Sequence, residues 1–110
     1  MNDLINTNTP AKQQKLGKRY IPATACSYPP EVNADDVLLV NFDADSVTVD
    51  GLYLVERYQD GAVTWMGCRR FEIRLADGGL NLYEANGDVV PFDGSLTIAG
   101  RVLRVYRPVA

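Results

Sequence analysis

The sequence has no histidine, only two cysteines, and no lysine beyond position 18. A Ser-His-Asp triad is therefore excluded, and a cysteine nucleophile would have no imidazole to activate it. Cys26 and Cys68 show no C-x-x-C or Cys/His spacing, so we expect no structural zinc site, which needs about four ligands. No P-loop or G-x-G-x-x-G pattern is present. We expect no metal and no cofactor, and two buried thiols that behave as small hydrophobic groups.

Long apolar runs are also missing from the sequence. No stretch approaches the roughly 20 residues that span a bilayer, and the polar N-terminus lacks the apolar segment of a signal peptide. We therefore expect a cytoplasmic protein that has no membrane contact. A chain of 110 residues has room for one domain with one core.

Charge is distributed unevenly along the chain. Residues 1–19 carry four basic side chains and Asp3, a net +3, whereas the remainder carries seven arginines and thirteen carboxylates, a net −6, and the two sum to −3. An acidic body repels phosphate, so we expect no direct nucleic-acid binding by the folded domain. The basic leader could touch an acidic surface weakly.

The chain divides into a leader and a β-rich body. Residues 1–18 show neither helical nor strand periodicity and are rich in Asn, Thr, Gln and Lys, which predicts a flexible polar tail. Residues 19–110 contain Gly-rich turn signals between short β-prone runs, and no helical stripe, which predicts a compact, mostly antiparallel all-β domain. These turn signals are Asp50-Gly51, Asp60-Gly61, Asp77-Gly78-Gly79, Asn86-Gly87 and Asp93-Gly94.

The β-prone runs predict particular strands and a core. Val37–Phe42 is almost entirely apolar, which is typical of a strand buried on both faces, and Asp60-Gly61 joins two runs as a hairpin. The only tryptophan, Trp65, is predicted to pack within the fold rather than to stack on a ligand. The predicted core comprises Val37, Leu39, Leu54, Phe71, Ile73, Leu80, Leu82, Ile98 and Leu103.

Five segments, in a matching order, resemble one protein family. Ser27-Tyr28-Pro29-Pro30 is similar to a nucleophile motif S-M-x-P, and Ala34-Asp35-Asp36 stands where D-G-D would follow. The remaining similar segments are Asp50–Val55, Cys68–Phe71, Gly79–Leu82 with Asn86, and Ile98–Val102. The family is the C-terminal domain of LexA and phage CI-type repressors, a self-cleaving serine peptidase that shares its β fold with signal peptidases. The resemblance covers roughly residues 20–107.

The resemblance implies a serine nucleophile at Ser27 and a lysine base at the position of Arg69. Lowering a lysine pKa from about 10.4 to neutrality takes about 4 kcal/mol, which burial can supply. An arginine starts above about 12, would need at least about 7 kcal/mol, and stays a cation. Ser27 and Arg69 are therefore predicted to be vestigial catalytic positions. The adjacent Asp35 and Asp36 would point to opposite faces of a strand and are not expected to act as an acid/base pair.

The replaced base, together with the absence of a preceding helix-turn-helix, favours a non-catalytic relative of this family. It would act as a protein-interaction or dimerisation module in phage or mobile-element regulation. Its partner would be a second copy, a repressor or a recombinase, and Tyr28, Arg70 and Trp65 are the candidate binding residues. Two alternatives stay open: a self-cleaving hydrolase that uses Ser27 with an unrecognised base, and a small structural or accessory protein that shares only the fold.

The same alignment predicts where the two cysteines lie. Cys26 precedes the serine position and Cys68 precedes the lysine position. If Ser27 and Arg69 face one cleft, the cysteines should lie close together on its opposite side. A Cα separation far beyond the disulfide limit of about 7 Å would refute this shared-cleft hypothesis.

Overall fold

The fold is a single antiparallel sheet of seven strands, which confirms the all-β prediction. The computed structural model describes residues 16–109, and no helix in that range is long and apolar enough to cross a membrane. The strands are β1 (Lys18–Pro22), β2 (Val37–Asn41), β3 (Gly51–Gln59), β4 (Ala62–Ile73), β5 (Leu80–Tyr83), β6 (Val89–Pro91) and β7 (Thr97–Tyr106), and their order in the sheet is β1-β2-β7-β3-β4-β5-β6.

The first strand begins within the segment that the sequence assigned to a tail. Residues 1–15 of that predicted tail lie outside the described residues. Leu16 and Gly17 donate backbone N–H bonds to the Asp43 carboxylate at 2.6 and 3.1 Å, and Lys18 then opens β1. Residues 16–18, which the sequence assigned to the tail, therefore contribute to the folded domain.

The Asp60-Gly61 hairpin forms as predicted. Both residues have positive φ, 54° and 81°, and Gln59 pairs directly with Ala62. Two consecutive left-handed residues give the turn whose twist matches that of the flanking strands. β3 and β4 consequently make the longest strand pair in the sheet, with one bulge between Arg57 and Tyr58.

The prediction that Val37–Phe42 forms a strand buried on both faces is wrong. Burial alternates along β2: Leu38 and Val40 are fully buried, whereas Val37 is 39% exposed. β2 lies next to the edge strand, and its second face carries no covering layer, so only every other side chain reaches the core. Of the other predicted core residues, Leu54, Phe71 and Leu82 are buried, and Leu39, Ile73, Leu80, Ile98 and Leu103 are half-buried.

The central strand β3 is covered on both faces, which divides the apolar interior into two cores. Leu52 and Leu54 point into the first core, and Tyr53 and Val55 into the second. The first core also contains Ala23, Cys26, Tyr28, Val32, Leu38, Val40, Cys68 and Val102. Four of these come from the segment 23–36, which connects β1 to β2 and which we call the covering loop. This loop closes one face of the sheet.

Both outer edges of the sheet carry a proline that faces outward. At β1, the Gly17 carbonyl accepts from the Phe42 N–H and the Ala23 N–H donates to the Asp36 carbonyl. Backbone groups of alternate residues point to opposite sides of a strand, so those of Pro22 face away from the sheet. Just after β6, the Phe92 N–H donates to the Leu80 carbonyl of β5, so Pro91 faces outward in the same way. Proline has no N–H, so each edge lacks a donor that an incoming strand would need.

Candidate functional site

Ser27 is exposed on the covering loop, between two residues that point into the first core. Cys26 and Cys68 both belong to the buried first core, and the Tyr28 ring lies 5.3 Å from the Arg69 guanidinium carbon. The residues on either side of Ser27 thus share a core with Cys68 or stack on Arg69 of β4. The shared-cleft hypothesis itself stays a prediction.

Two basic residues bear on whether Ser27 could be activated. Lys18 is the one lysine among residues 16–109, and it lies in the edge strand β1. Arg69 donates a hydrogen bond to the Cys68 carbonyl at 2.7 Å and holds its cation over aromatic rings. A guanidinium in this setting can bind an oxygen but cannot accept a proton from a hydroxyl.

Two arginines and two aromatic rings form a continuous stack at this site. The Arg57 guanidinium carbon is 5.4 Å from the Trp65 ring centroid, and the Arg69 guanidinium carbon is 4.9 Å from the same ring. Arg69 also covers Tyr28, so the four side chains are linked. We call Arg57, Trp65, Arg69 and Tyr28 the Arg-aromatic stack. Each contact lies within the range at which a ring quadrupole attracts a cation.

The strand register places three members of this stack together. Trp65, Gly67 and Arg69 are every second residue of β4, so they share one face of the strand. Arg57 pairs with Trp65 across the hairpin. A Cβ on Gly67 would lie 2.5 Å from two carbons of the indole ring, so only glycine lets the ring lie across the strand at this position. The covering loop then supplies Tyr28.

The Tyr28 hydroxyl fills the point at which β4 and β5 separate. It donates to the Tyr83 carbonyl at 3.1 Å, and Arg70 and Tyr83 are the outermost pair of the β4–β5 ladder. Burial, followed by the Glu31 carboxylate, raises the pKa of Tyr28, so the hydroxyl keeps its proton and stays a donor. Tyr28 therefore anchors the covering loop to the sheet.

Arg70, a predicted binding residue, is engaged within the fold. Its guanidinium makes two bonds to the Glu31 carboxylate, at 2.8 and 3.1 Å. This bidentate pair joins β4 to the covering loop and raises the pKa of Arg70. Trp65 is half-buried against the second core, as a packing residue would be, and it also carries the two arginines of the stack.

Asp36 fastens the far end of the covering loop. Its buried carboxylate accepts bonds from Arg107 at 3.2 and 3.1 Å and from the Asn33 N–H at 2.8 Å. The Arg107 guanidinium, followed by the Asn33 N–H, lowers the pKa of Asp36. Asp35 is exposed, and both residues precede β2, which begins at Val37. The premise that Asp35 and Asp36 lie on a strand is therefore wrong, because they belong to the covering loop.

A cleft of about 260 Å³ opens between the covering loop and the β5–β6 turn. Its walls are Tyr28–Glu31 on one side and Glu84–Gly87 on the other, and Glu31 is already paired with Arg70. Neither Ser27 nor Arg69 lines this cleft. Across residues 16–109, no three metal-ligating side chains lie close enough together to hold an ion.

No protein-family model matches the chain, and no curated protein or solved structure matches it either. The resemblance to the LexA and CI-type domain therefore stays a prediction from the five segments. The sequence reasoning selected Tyr28, Arg69 and Trp65, which the structure brings into one stack, but it missed Arg57 and Gly67. The only sequence signal for Arg57 was its place in the predicted hairpin, and Gly67 had none.

Proposed function

We propose that this chain is a non-catalytic relative of the LexA and CI-type C-terminal domain that acts as a protein-interaction or dimerisation module in phage or mobile-element regulation. The observation that carries the proposal is the state of Arg69. By the resemblance it would stand at the position of the family's base, and it is stacked as a cation between Tyr28 and Trp65. Arg69 could therefore not accept the proton of Ser27.

The Arg-aromatic stack is the surface through which the partner would bind. Within residues 16–109, ion pairs engage Arg70, Arg74 and Arg107, whereas Arg57 and Arg69 have no carboxylate partner. A side-chain or terminal carboxylate of the partner could bind either free guanidinium through two parallel hydrogen bonds. Trp65 would add apolar contact area, and Trp, Tyr and Arg are the residues that dominate binding energy at interfaces.

A protein is a better partner for this surface than a nucleic acid. The chain carries a net charge of −6 beyond residue 19, and the cleft beside Tyr28 is lined by two glutamates. A polyanion would meet that repulsion along its whole length, whereas a single carboxylate needs only the local cation. The partner would be a second copy of the chain, a repressor or a recombinase.

Binding is tested with the purified chain and the cognate repressor or recombinase, by pull-down and by light scattering coupled to gel filtration. Arg57→Gln removes one free guanidinium, and Arg104→Gln, an exposed arginine of β7, is the matched control. We expect Arg57→Gln to weaken association roughly tenfold or more, because a charge-assisted hydrogen bond contributes about 1.5–3 kcal/mol. No binding and no dimer at micromolar concentration would refute the proposal.

The absence of catalysis is tested separately. The chain is incubated at neutral and alkaline pH beside Ser27→Ala, and cleavage products are followed by mass spectrometry. We expect the same pattern for both proteins. Cleavage that depends on Ser27, or an acyl group on its oxygen, would instead favour the self-cleaving hydrolase.

A further inference from the structure

The only two cysteines of the chain meet inside the first core. Both are free thiols, Cys26 is 2% exposed and Cys68 is fully buried, and both belong to one cluster of packed side chains. They come from different elements, the covering loop and β4. The function proposed above makes no use of this pair.

The two thiols are not equivalent in the fold. The neighbours of Cys26, Ala25 and Ser27, are both exposed, so a small opening of the loop would bring Cys26 to solvent. Cys68 lies within a central strand pair, opposite Leu54, and has no such route. The hydrogen bond from Cys68 lowers the pKa of Cys26, whereas the bond to Cys26 and burial raise that of Cys68. Cys26 is therefore the sulfur that reacts first.

We propose that Cys26 and Cys68 form a redox-active dithiol that a hydroperoxide converts to an intramolecular disulfide. The Cys26 thiolate attacks the peroxide oxygen, the O–O bond breaks, and the alcohol, or water from hydrogen peroxide, leaves with the thiol proton. The resulting sulfenic acid is attacked by the Cys68 sulfur, and its hydroxyl leaves as a second water with the Cys68 proton. The two sulfurs lose two electrons in total, and the peroxide gains them.

The disulfide would tie the covering loop to the sheet beside the Arg-aromatic stack. Tyr28 lies two residues after Cys26, and Arg69 directly follows Cys68, so the bond would fix the spacing of both. It would also close a loop between residues 26 and 68 in the unfolded chain, which lowers the entropy of that state. The oxidised protein is therefore more stable than the reduced one.

The test uses the native full-length chain, treated with hydrogen peroxide and then blocked with a thiol-alkylating reagent. We expect peptide mapping without reductant to find Cys26 joined to Cys68, with the mass lowered by two hydrogens. Dithiothreitol should reverse the change, and Tm should be higher in the oxidised form. Two alkylatable thiols after prolonged exposure, or bonds only between separate chains, would overturn the proposal.

Two single variants test the assigned order of reaction. With dimedone present, Cys68→Ser should accumulate a sulfenic acid adduct on Cys26, because the resolving thiol is gone. Cys26→Ser should leave Cys68 unmodified at the same peroxide exposure. Circular dichroism checks that both variants fold, and the wild-type mapping stands without them. An adduct on Cys68 alone would show that the order of attack is the reverse of the one assigned here.

Discussion

At the scale of single residues, the position of Trp65 depends on a missing side chain. The indole lies across Gly67, where any Cβ would collide with the ring. Trp65 in turn holds both arginines of the stack. A residue without a side chain thus determines the geometry of the candidate interaction surface.

Gly67→Ala should therefore displace the indole from the strand. We expect a loss of about 1–3 kcal/mol in the free energy of unfolding, as for other overpacked sites, and a shift in tryptophan emission as the ring moves. Gly51→Ala is the matched control, because a Cβ there would meet its nearest atoms at 3.9 Å, an ordinary contact. Equal effects of the two substitutions in urea unfolding would contradict this account of Gly67.

Tyr28→Phe isolates the role of the phenol in anchoring the covering loop. The ring and its contact with Arg69 remain, but the hydrogen bond from the hydroxyl to the Tyr83 carbonyl is lost. A hydrogen bond of this kind contributes about 0.5–1.5 kcal/mol, and we expect a loss of stability of that size in urea unfolding. Tyr106→Phe, at an exposed tyrosine, should change the stability little. A neutral Tyr28→Phe would show that the hydroxyl is not an anchor.

At the scale of elements, the covering loop is attached to the rest of the fold at three points. Tyr28 reaches β5, Glu31 reaches β4, and Asp36 reaches the C-terminal segment through Arg107. Asp36 contributes to this attachment in a pH-dependent way, because its carboxylate is the buried partner of an exposed arginine.

Acid should loosen this attachment. The pKa of Asp36 is lower in the folded chain than its unfolded value of about 3.9, so the ionised carboxylate stabilises the fold above that pH. The contribution is lost as the pH falls from about 4 through the depressed folded pKa. Urea unfolding at several pH values should show this loss for the wild type, whereas Arg107→Gln should be less stable near neutrality and less sensitive to acid.

The comparison of these two proteins isolates the Asp36 pair. The pKa values of Asp77 and Asp93 are lowered as well, by local hydrogen bonds, and these residues act equally in both proteins. Arg104→Gln controls for the loss of one positive charge. Parallel pH profiles for the wild type and Arg107→Gln would mean that the pair does not carry the effect.

The β3–β4 hairpin also shows which features could be predicted from the sequence and which could not. The hairpin and its turn were predictable, because Asp60-Gly61 admits one kind of tight turn. Counting outward from that turn would pair Glu56 with Trp65, whereas the bulge after Arg57 pairs Arg57 with Trp65 instead. A bulge of one residue leaves no mark in the local pattern. The Arg-aromatic stack was therefore only partly visible from the sequence.

At the scale of the whole molecule, the all-β class was predictable and the strand order was not. Turn signals and alternating residues report on local structure, whereas the insertion of β7 between β2 and β3 depends on contacts between distant parts of the chain. The apolar run of β2 predicted burial on both faces, because a local pattern does not show where a strand lies in the sheet. Apolarity alone does not say whether a second layer will cover the other face.

The outward-facing prolines should limit self-association through pairing of edge strands. Pro22→Ala restores a donor on the outer edge of β1, so we expect more concentration-dependent association through strand pairing than in the wild type. Pro108→Ala, an exposed proline outside the strands, is the control. Sedimentation velocity over a range of concentrations compares the three proteins. Identical sedimentation of the wild type and Pro22→Ala would show that the proline does not protect this edge.

The place of β7 also bears on how the protein is made. A ribosome releases this strand last among the seven, yet it lies between β2 and β3. Until residues 97–106 emerge, no strand pairing links β1–β2 to β3–β6, and Val40 and Leu54 lack the strand that lies between them. The sheet can be completed only after those residues have left the ribosome, and a chain cut short before Thr97 would lack a strand from inside the sheet rather than one at its edge.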